Sequence, residues 1–133
     1  MLNPAPGIPG VRKPIRTLVV DDSMSMAQKV GELLASMPEF QTVGYAGNGQ
    51  EALALALDLQ AELVIMDIHM PVLNGLEAAR ELMQRMPNTR VVLMSAFAPA
   101  EPLRWPGVEA VEFIPKAKLW QALPSLAQRF FGI

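Results

Sequence analysis

The sequence has no cysteine and a single histidine, His69. The first absence excludes a disulfide scaffold, a thiolate metal site and thiol chemistry together, and the second leaves no imidazole cluster for zinc. No apolar run approaches about 20 residues, and no apolar core follows a basic N-terminus, so neither a membrane span nor an export signal is expected. Charge of one sign is lacking too. Eleven Lys and Arg face thirteen Asp and Glu for a net charge of -2, too balanced for a chain that coats phosphate backbones. What remains is apolar: 51% hydrophobic against 18% charged residues excludes the composition of a disordered chain. The 133 residues suffice for one self-supporting core and not for two. The expectation is one soluble domain in the cytoplasm, without direct nucleic-acid or membrane contact.

Residues 1–14 carry Pro4, Pro6, Pro9 and Pro14 with Gly7 and Gly10, a composition that resists helix and central strand alike and reads as a flexible leader. Residues 15–133 read as the domain. There, short aliphatic runs alternate with segments of helical periodicity. Strands are expected at Ile15–Val20, Gln41–Tyr45, Leu63–Met66 and Val91–Met94, with a fifth inside Val108–Pro115. Between them, Val30, Leu33, Leu34 and Met37 mark a helix face closed by Pro38. Asn48 and Glu51 form a capping box for a helix through Leu59, whose Leu53, Ala56 and Leu57 should face the sheet. A third helix is expected over Leu76–Met86. The stretch Pro99–Pro106 holds three prolines and should form one turn or none. Leu119, Leu123, Leu126 and Phe130 space a closing helix that Pro124 should kink or split. Five strands alternating with helices give a doubly wound α/β sandwich, whose chemistry belongs at the carboxyl ends of the strands.

Asp21 and Asp22 directly follow the first strand, and Asp67 directly follows the third. In the flavodoxin-like order 2-1-3-4-5 these strands are neighbours, so the three carboxylates converge. Two carboxylates about 5 Å apart repel by roughly 3 kcal/mol at an effective dielectric near 20, so a cation should join them. Hard oxygen ligands suit Mg²⁺, with Mn²⁺ the alternative. Ser95 ends the fourth strand and Lys116 the fifth, adding a hydroxyl and an ammonium to the same rim. Such a set matches a phosphoryl group, whose oxygens need neutralising while one carboxylate attacks phosphorus. The plainer readings are a strand end and helix N-cap for Asp21–Asp22, a turn former for Asp67, a strand-end hydrogen bonder for Ser95 and a solvated surface residue for Lys116. Met24, Met26, Met66, Met70 and Met94 read as core filler, and Trp105 as either packing or a partner contact.

With Leu18–Ser23 (LVVDDS), Met66–Gly75 (MDIHMPVLNG), Met94–Ala96 (MSA) and Phe113–Lys116 (FIPK), the sequence resembles the CheY-like receiver domains of two-component response regulators. The resemblance implies that Asp67 is the phosphoacceptor. It implies further that Asp21, Asp22, Asp67 and the backbone carbonyl of His69 hold Mg²⁺, that Lys116 contacts the phosphoryl group, and that Ser95 and Phe113 are switch residues. Many receivers have proline after this lysine, where Ala117 stands here. Receivers of the NarL/LuxR type commonly lack that proline, and the resemblance points to that branch. The implied partners are a sensor histidine kinase or phosphotransfer protein and a downstream protein. Output is expected through protein contacts or pairing into a homodimer, with the apolar tail Phe130, Phe131 and Ile133 contributing. The activity expected is self-phosphorylation and self-dephosphorylation rather than turnover. The alternative is the receiver portion of a NarL/LuxR-type DNA-binding regulator whose output domain lies outside this chain.

Overall fold

The computed structural model describes residues 13–96 and 112–133. In chain order the elements are β1 (Ile15–Val20), α1 (Met24–Ala35), β2 (Phe40–Ala46), α2 (Gly49–Asp58), β3 (Leu63–Asp67), α3 (Gly75–Arg85), β4 (Arg90–Ser95) and β5 (Glu112–Pro115). A 3₁₀ turn (Lys116–Lys118) then leads into α4 (Leu119–Phe131). All four strand pairings are parallel, in the order β2-β1-β3-β4-β5, so the expected flavodoxin-like sheet is present. The central strand β3 is buried at every residue because helices cover both of its faces, as its unbroken aliphatic sequence requires.

Two apolar layers result. On one face Leu18, Val20, Val64, Met66 and Leu93 meet Ala52 and Ala56 of α2 and Ala78, Ala79 and Leu82 of α3. On the other, Val19, Ile65, Val92 and Met94 meet Ala27, Val30 and Leu34 of α1 and Leu119, Leu123 and Leu126 of α4. Each fully buried leucine contributes about 2 kcal/mol relative to exposure. Met24 is the methionine that departs from the core reading, since it is 61% exposed.

The starts of α1, α2 and α3 are set by side-chain caps. Asn48 Oδ1 accepts from Glu51 N at 2.8 Å, while Glu51 reaches back to the Gly47 amide. Asn74 caps α3 through Glu77 N at 3.0 Å. Ser23, not Asp22, caps α1 by accepting from Met26 N. Two expectations are corrected. Leu57 does not face the sheet but is 57% exposed, and Ala52 lies inward in its place, because small residues let α2 pack closely beside α3. Pro124 does not split off the first turn, for α4 runs unbroken across it. β1 and β2 also shift register between Thr17 and Leu18, leaving Val43 unpaired as a bulge. The stretch Pro99–Pro106, Trp105 and residues 1–12 of the leader lie outside the described residues.

Candidate phosphoryl and metal site

The rim at the carboxyl ends of the strands gathers the expected side chains. β1 ends one residue before Asp21, and β3 ends on Asp67. Because Val20 pairs with Met66, the two carboxylates leave adjacent strands at the same height. Asp21, Asp22 and Asp67 each offer an oxygen within 4.8 Å of the others. Asp21 and Asp67 are buried, and Asp22 is exposed.

Backbone amides orient the buried pair. Asp21 Oδ1 accepts from Ser23 N at 2.9 Å, and Asp67 Oδ1 accepts from His69 N at 3.1 Å. Their second oxygens share one cation, as Lys116 Nζ donates to Asp21 Oδ2 at 2.9 Å and to Asp67 Oδ2 at 3.3 Å. Burial alone would depress the Lys116 pKa. Its hydrogen bond to Asp21 and the charges of Asp67 and Asp21 outweigh that and raise it above 10.5. Among the described residues Asp22 shares no bond with Lys116, and Ser23 rather than Asp22 takes the capping position of α1. Three carboxylates with one ammonium leave a net negative pocket of oxygen donors, a set that fits a hard divalent cation.

Ser95, 4% exposed, ends β4. Its register partner is Pro115, the residue before Lys116, so hydroxyl and ammonium come off neighbouring strand ends. Phe113 sits opposite Leu93 and is half-buried against the layer under α2 and α3. His69 is exposed. With Asp22, Met70 and Asn74 it lines an open cleft of about 520 Å³.

Sequence reasoning missed how the loop after Asp67 is clamped. A Cβ on Gly75 would lie 2.3 Å from the Asp67 carbonyl oxygen, and one on Gly49 would lie 2.3 Å from that of Leu73. Glycine at both places lets α3 start against the end of β3 and lets Gly49 N bond Leu73 O at 3.0 Å. Between them Val72 has φ of 71°, a left-handed backbone unfavourable to a β-branched residue. The Asn-Gly pair was the available signal for a tight approach; nothing in the sequence marked Val72.

The response regulator receiver domain family matches residues 17–125. The protein-glutamate methylesterase/protein-glutamine glutaminase of Thermotoga maritima is 43% identical over 82 residues, covering 62% of this chain and 24% of that protein. Its counterpart from Symbiobacterium thermophilum is 48% identical over 86 residues, covering 65% of this chain and 24% of that one. The chain thus spans about a quarter of the length of these relatives. Among solved structures, the response regulator domain of T. maritima CheB superposes with a TM-score of 0.73 at 34% identity, covering 88% of this chain and 93% of that domain. The receiver domain of Mycobacterium tuberculosis NarL superposes with a TM-score of 0.73 at 23% identity, covering 88% and 98%, a likeness of fold alone. On these grounds the chain belongs to the receiver domain family of two-component response regulators, homologous to the receiver domains of CheB and CheY, and serves phosphorylation-dependent signalling.

Proposed function

We propose that this domain accepts a phosphoryl group on Asp67 from a phosphohistidine of a sensor histidine kinase or phosphotransfer protein, and passes the change on by protein contacts. The observation that carries the reading is the Asp21–Asp22–Asp67 cluster joined by Lys116. Asp21, Asp22, Asp67 and the His69 carbonyl would hold Mg²⁺, which when bound neutralises phosphoryl oxygens. An Asp67 carboxylate oxygen attacks phosphorus in line. The new P–O bond forms as the P–N bond to the donor imidazole breaks, and the imidazole leaves with the bonding pair. Lys116 exchanges part of its carboxylate contact for a phosphoryl oxygen, and its raised pKa keeps it cationic throughout. The Ser95 hydroxyl donates to a second oxygen. The packing around Phe113 then has two arrangements, whose populations shift by the difference in their contacts. Moving that balance from 1:99 to 99:1 requires about 5.5 kcal/mol of differential stabilisation.

On this reading residues 1–14 are a leader and residues 15–133 the receiver unit, at work in the cytoplasm. No helix among the described residues is long and apolar enough to cross a membrane. Intact mass after incubation with acetyl phosphate and Mg²⁺ tests the proposal. A single phosphoryl adduct is expected, absent from Asp67→Ala and greatly slowed in Lys116→Met. An adduct that survives Asp67→Ala overturns the assignment.

A further inference from the structure

α2 and α3 each follow a strand of the same parallel sheet, so both run from the phosphoryl rim to the opposite rim, side by side. They approach closely where Gly49 faces Ala78, since a Cβ on Gly49 would lie 3.0 Å from the Ala78 Cβ. Ala52, Ala56, Ala78 and Ala79 fill their inner faces, which leaves Leu57 turned outward. On the solvent side lies a cleft of about 440 Å³, lined by Leu53, Leu57, Val72, Leu73, Glu81 and Arg85 among others.

Two features mark this cleft as a contact surface. Leu57 is 57% and Val72 77% exposed, so two of the six large apolar residues left open among the described residues share one cleft instead of being scattered singly. Val72 is held there with φ of 71°, a backbone that disfavours valine, and strain kept at an exposed apolar side chain points to a use for it.

The charges select the occupant. Glu81 and Arg85 stand one turn apart on α3, joined at 3.2 Å through Arg85 Nε, and the guanidinium fork has further donors for a second carboxylate. A twofold axis crossing both helices at right angles sets a second copy of each helix antiparallel to the first. On α2 such an axis passes midway between Leu53 and Leu57, at Leu55, which is six residues beyond Gly49. The same height on α3, six residues beyond Ala78, is Gln84, and the midpoint of Glu81 and Arg85 is Met83, only about 1.5 Å away along the helix. One axis therefore serves both helices: Leu57 meets Leu53 of the second copy, and Glu81 meets its Arg85, each twice by symmetry. Two exposed side chains bury far less than the roughly 800 Å² per partner of a standard interface, so the pair is weak and parts readily.

We propose that two copies of this chain pair through their α2–α3 clefts about such an axis, with Leu57 of each seated in the cleft of the other and Glu81 set against Arg85. Sedimentation equilibrium of the full, unphosphorylated chain at rising concentration tests this. The parent should approach the dimer mass between micromolar and millimolar concentration. Leu57→Asp should lose that increase. Glu81→Arg and Arg85→Glu should each lose it alone, because each sets like charges opposite one another. The double reversal Glu81→Arg/Arg85→Glu should recover it, as should a mixture of the two single variants, and far-UV circular dichroism shows that each variant is folded. A parent that stays monomeric at millimolar concentration overturns the proposal. So does a dimer indifferent to these substitutions, which would lie on another face, or a pair of reversals that fails to recover association in combination. Asp67 is unmodified throughout, so this result stands apart from that of phosphoryl acceptance.

Discussion

Replacing Asp22 by Asn should raise stability in a chelator and lower it in Mg²⁺, a reversal of sign that few other origins of a stability change would give. Lys116 offsets Asp21 and Asp67 directly, so among the described residues Asp22 is the carboxylate of the three that no ion pair offsets. Like charges within 4.8 Å repel by about 3 kcal/mol at an effective dielectric near 20, and by about 1 kcal/mol in water. Asp22 is exposed, so the lower figure applies, and Asp22→Asn should gain up to about 1 kcal/mol without metal. For a chain of this size that is roughly a 3–5 °C rise in Tm. With Mg²⁺ at about 100 times its Kd, the parent gains about 2.7 kcal/mol by mass action, whereas the variant, short of one ligand, gains much less. Urea unfolding followed by circular dichroism, in chelator and in Mg²⁺, measures all four states. If Asp22→Asn is no more stable than the parent in chelator, or if Mg²⁺ stabilises both equally, then Asp22 is neither a source of repulsion nor a ligand.

Three further outcomes are expected. Val72→Asn should stabilise the protein by about 0.5–1 kcal/mol in denaturant titration, because asparagine tolerates a φ of 71° better than valine and little buried surface is lost at a residue 77% exposed. Gly75→Ala should cost about 1–3 kcal/mol and slow adduct formation, as its Cβ must displace the backbone of Asp67; calorimetry and intact mass report the two effects. In chelator, the stabilisation from Lys116 should be complete below the unfolded lysine pKa and disappear as pH rises through the higher folded value. Stability measured against pH should therefore fall on the alkaline side of 10.5, and Lys116→Met should remove that fall.

The sheet was legible because each strand is a compact aliphatic run, and the site because its acids and its lysine stand directly at strand ends. Periodicity misled at α2. In the Leu-Ala alternation from Ala52 to Leu57, leucine carries the larger apolar signal, yet Ala52 and Ala56 are the residues fully buried against the sheet. Which of two apolar stripes turns inward depends on how closely α3 approaches, and that is a tertiary quantity. The plainer reading of Asp22 as the α1 cap does not hold, since Ser23 takes that place; Asp22 and Ser23 are both competent caps, and the sequence alone does not select between them. Pro124 was expected to kink α4 or split off its first turn, and the split does not occur. The fully buried Leu119, Leu123 and Leu126 on its inner face offset the loss of one backbone hydrogen bond. The bulge at Val43 has a trace in Gly44, since glycine inside a strand often accompanies one.

The two margins of the sheet are poorly suited to growth. β5 is only four residues long and ends in Pro115, which has no amide proton to offer a newcomer. β2 carries its irregularity at mid-length, so its outer row of amides and carbonyls is bent away from a straight template. Neither border invites a foreign strand to continue the ladder. Assemblies of this domain, with itself or with others, should therefore meet through helical surfaces, and the sheet should resist fibril-like stacking even in concentrated solution.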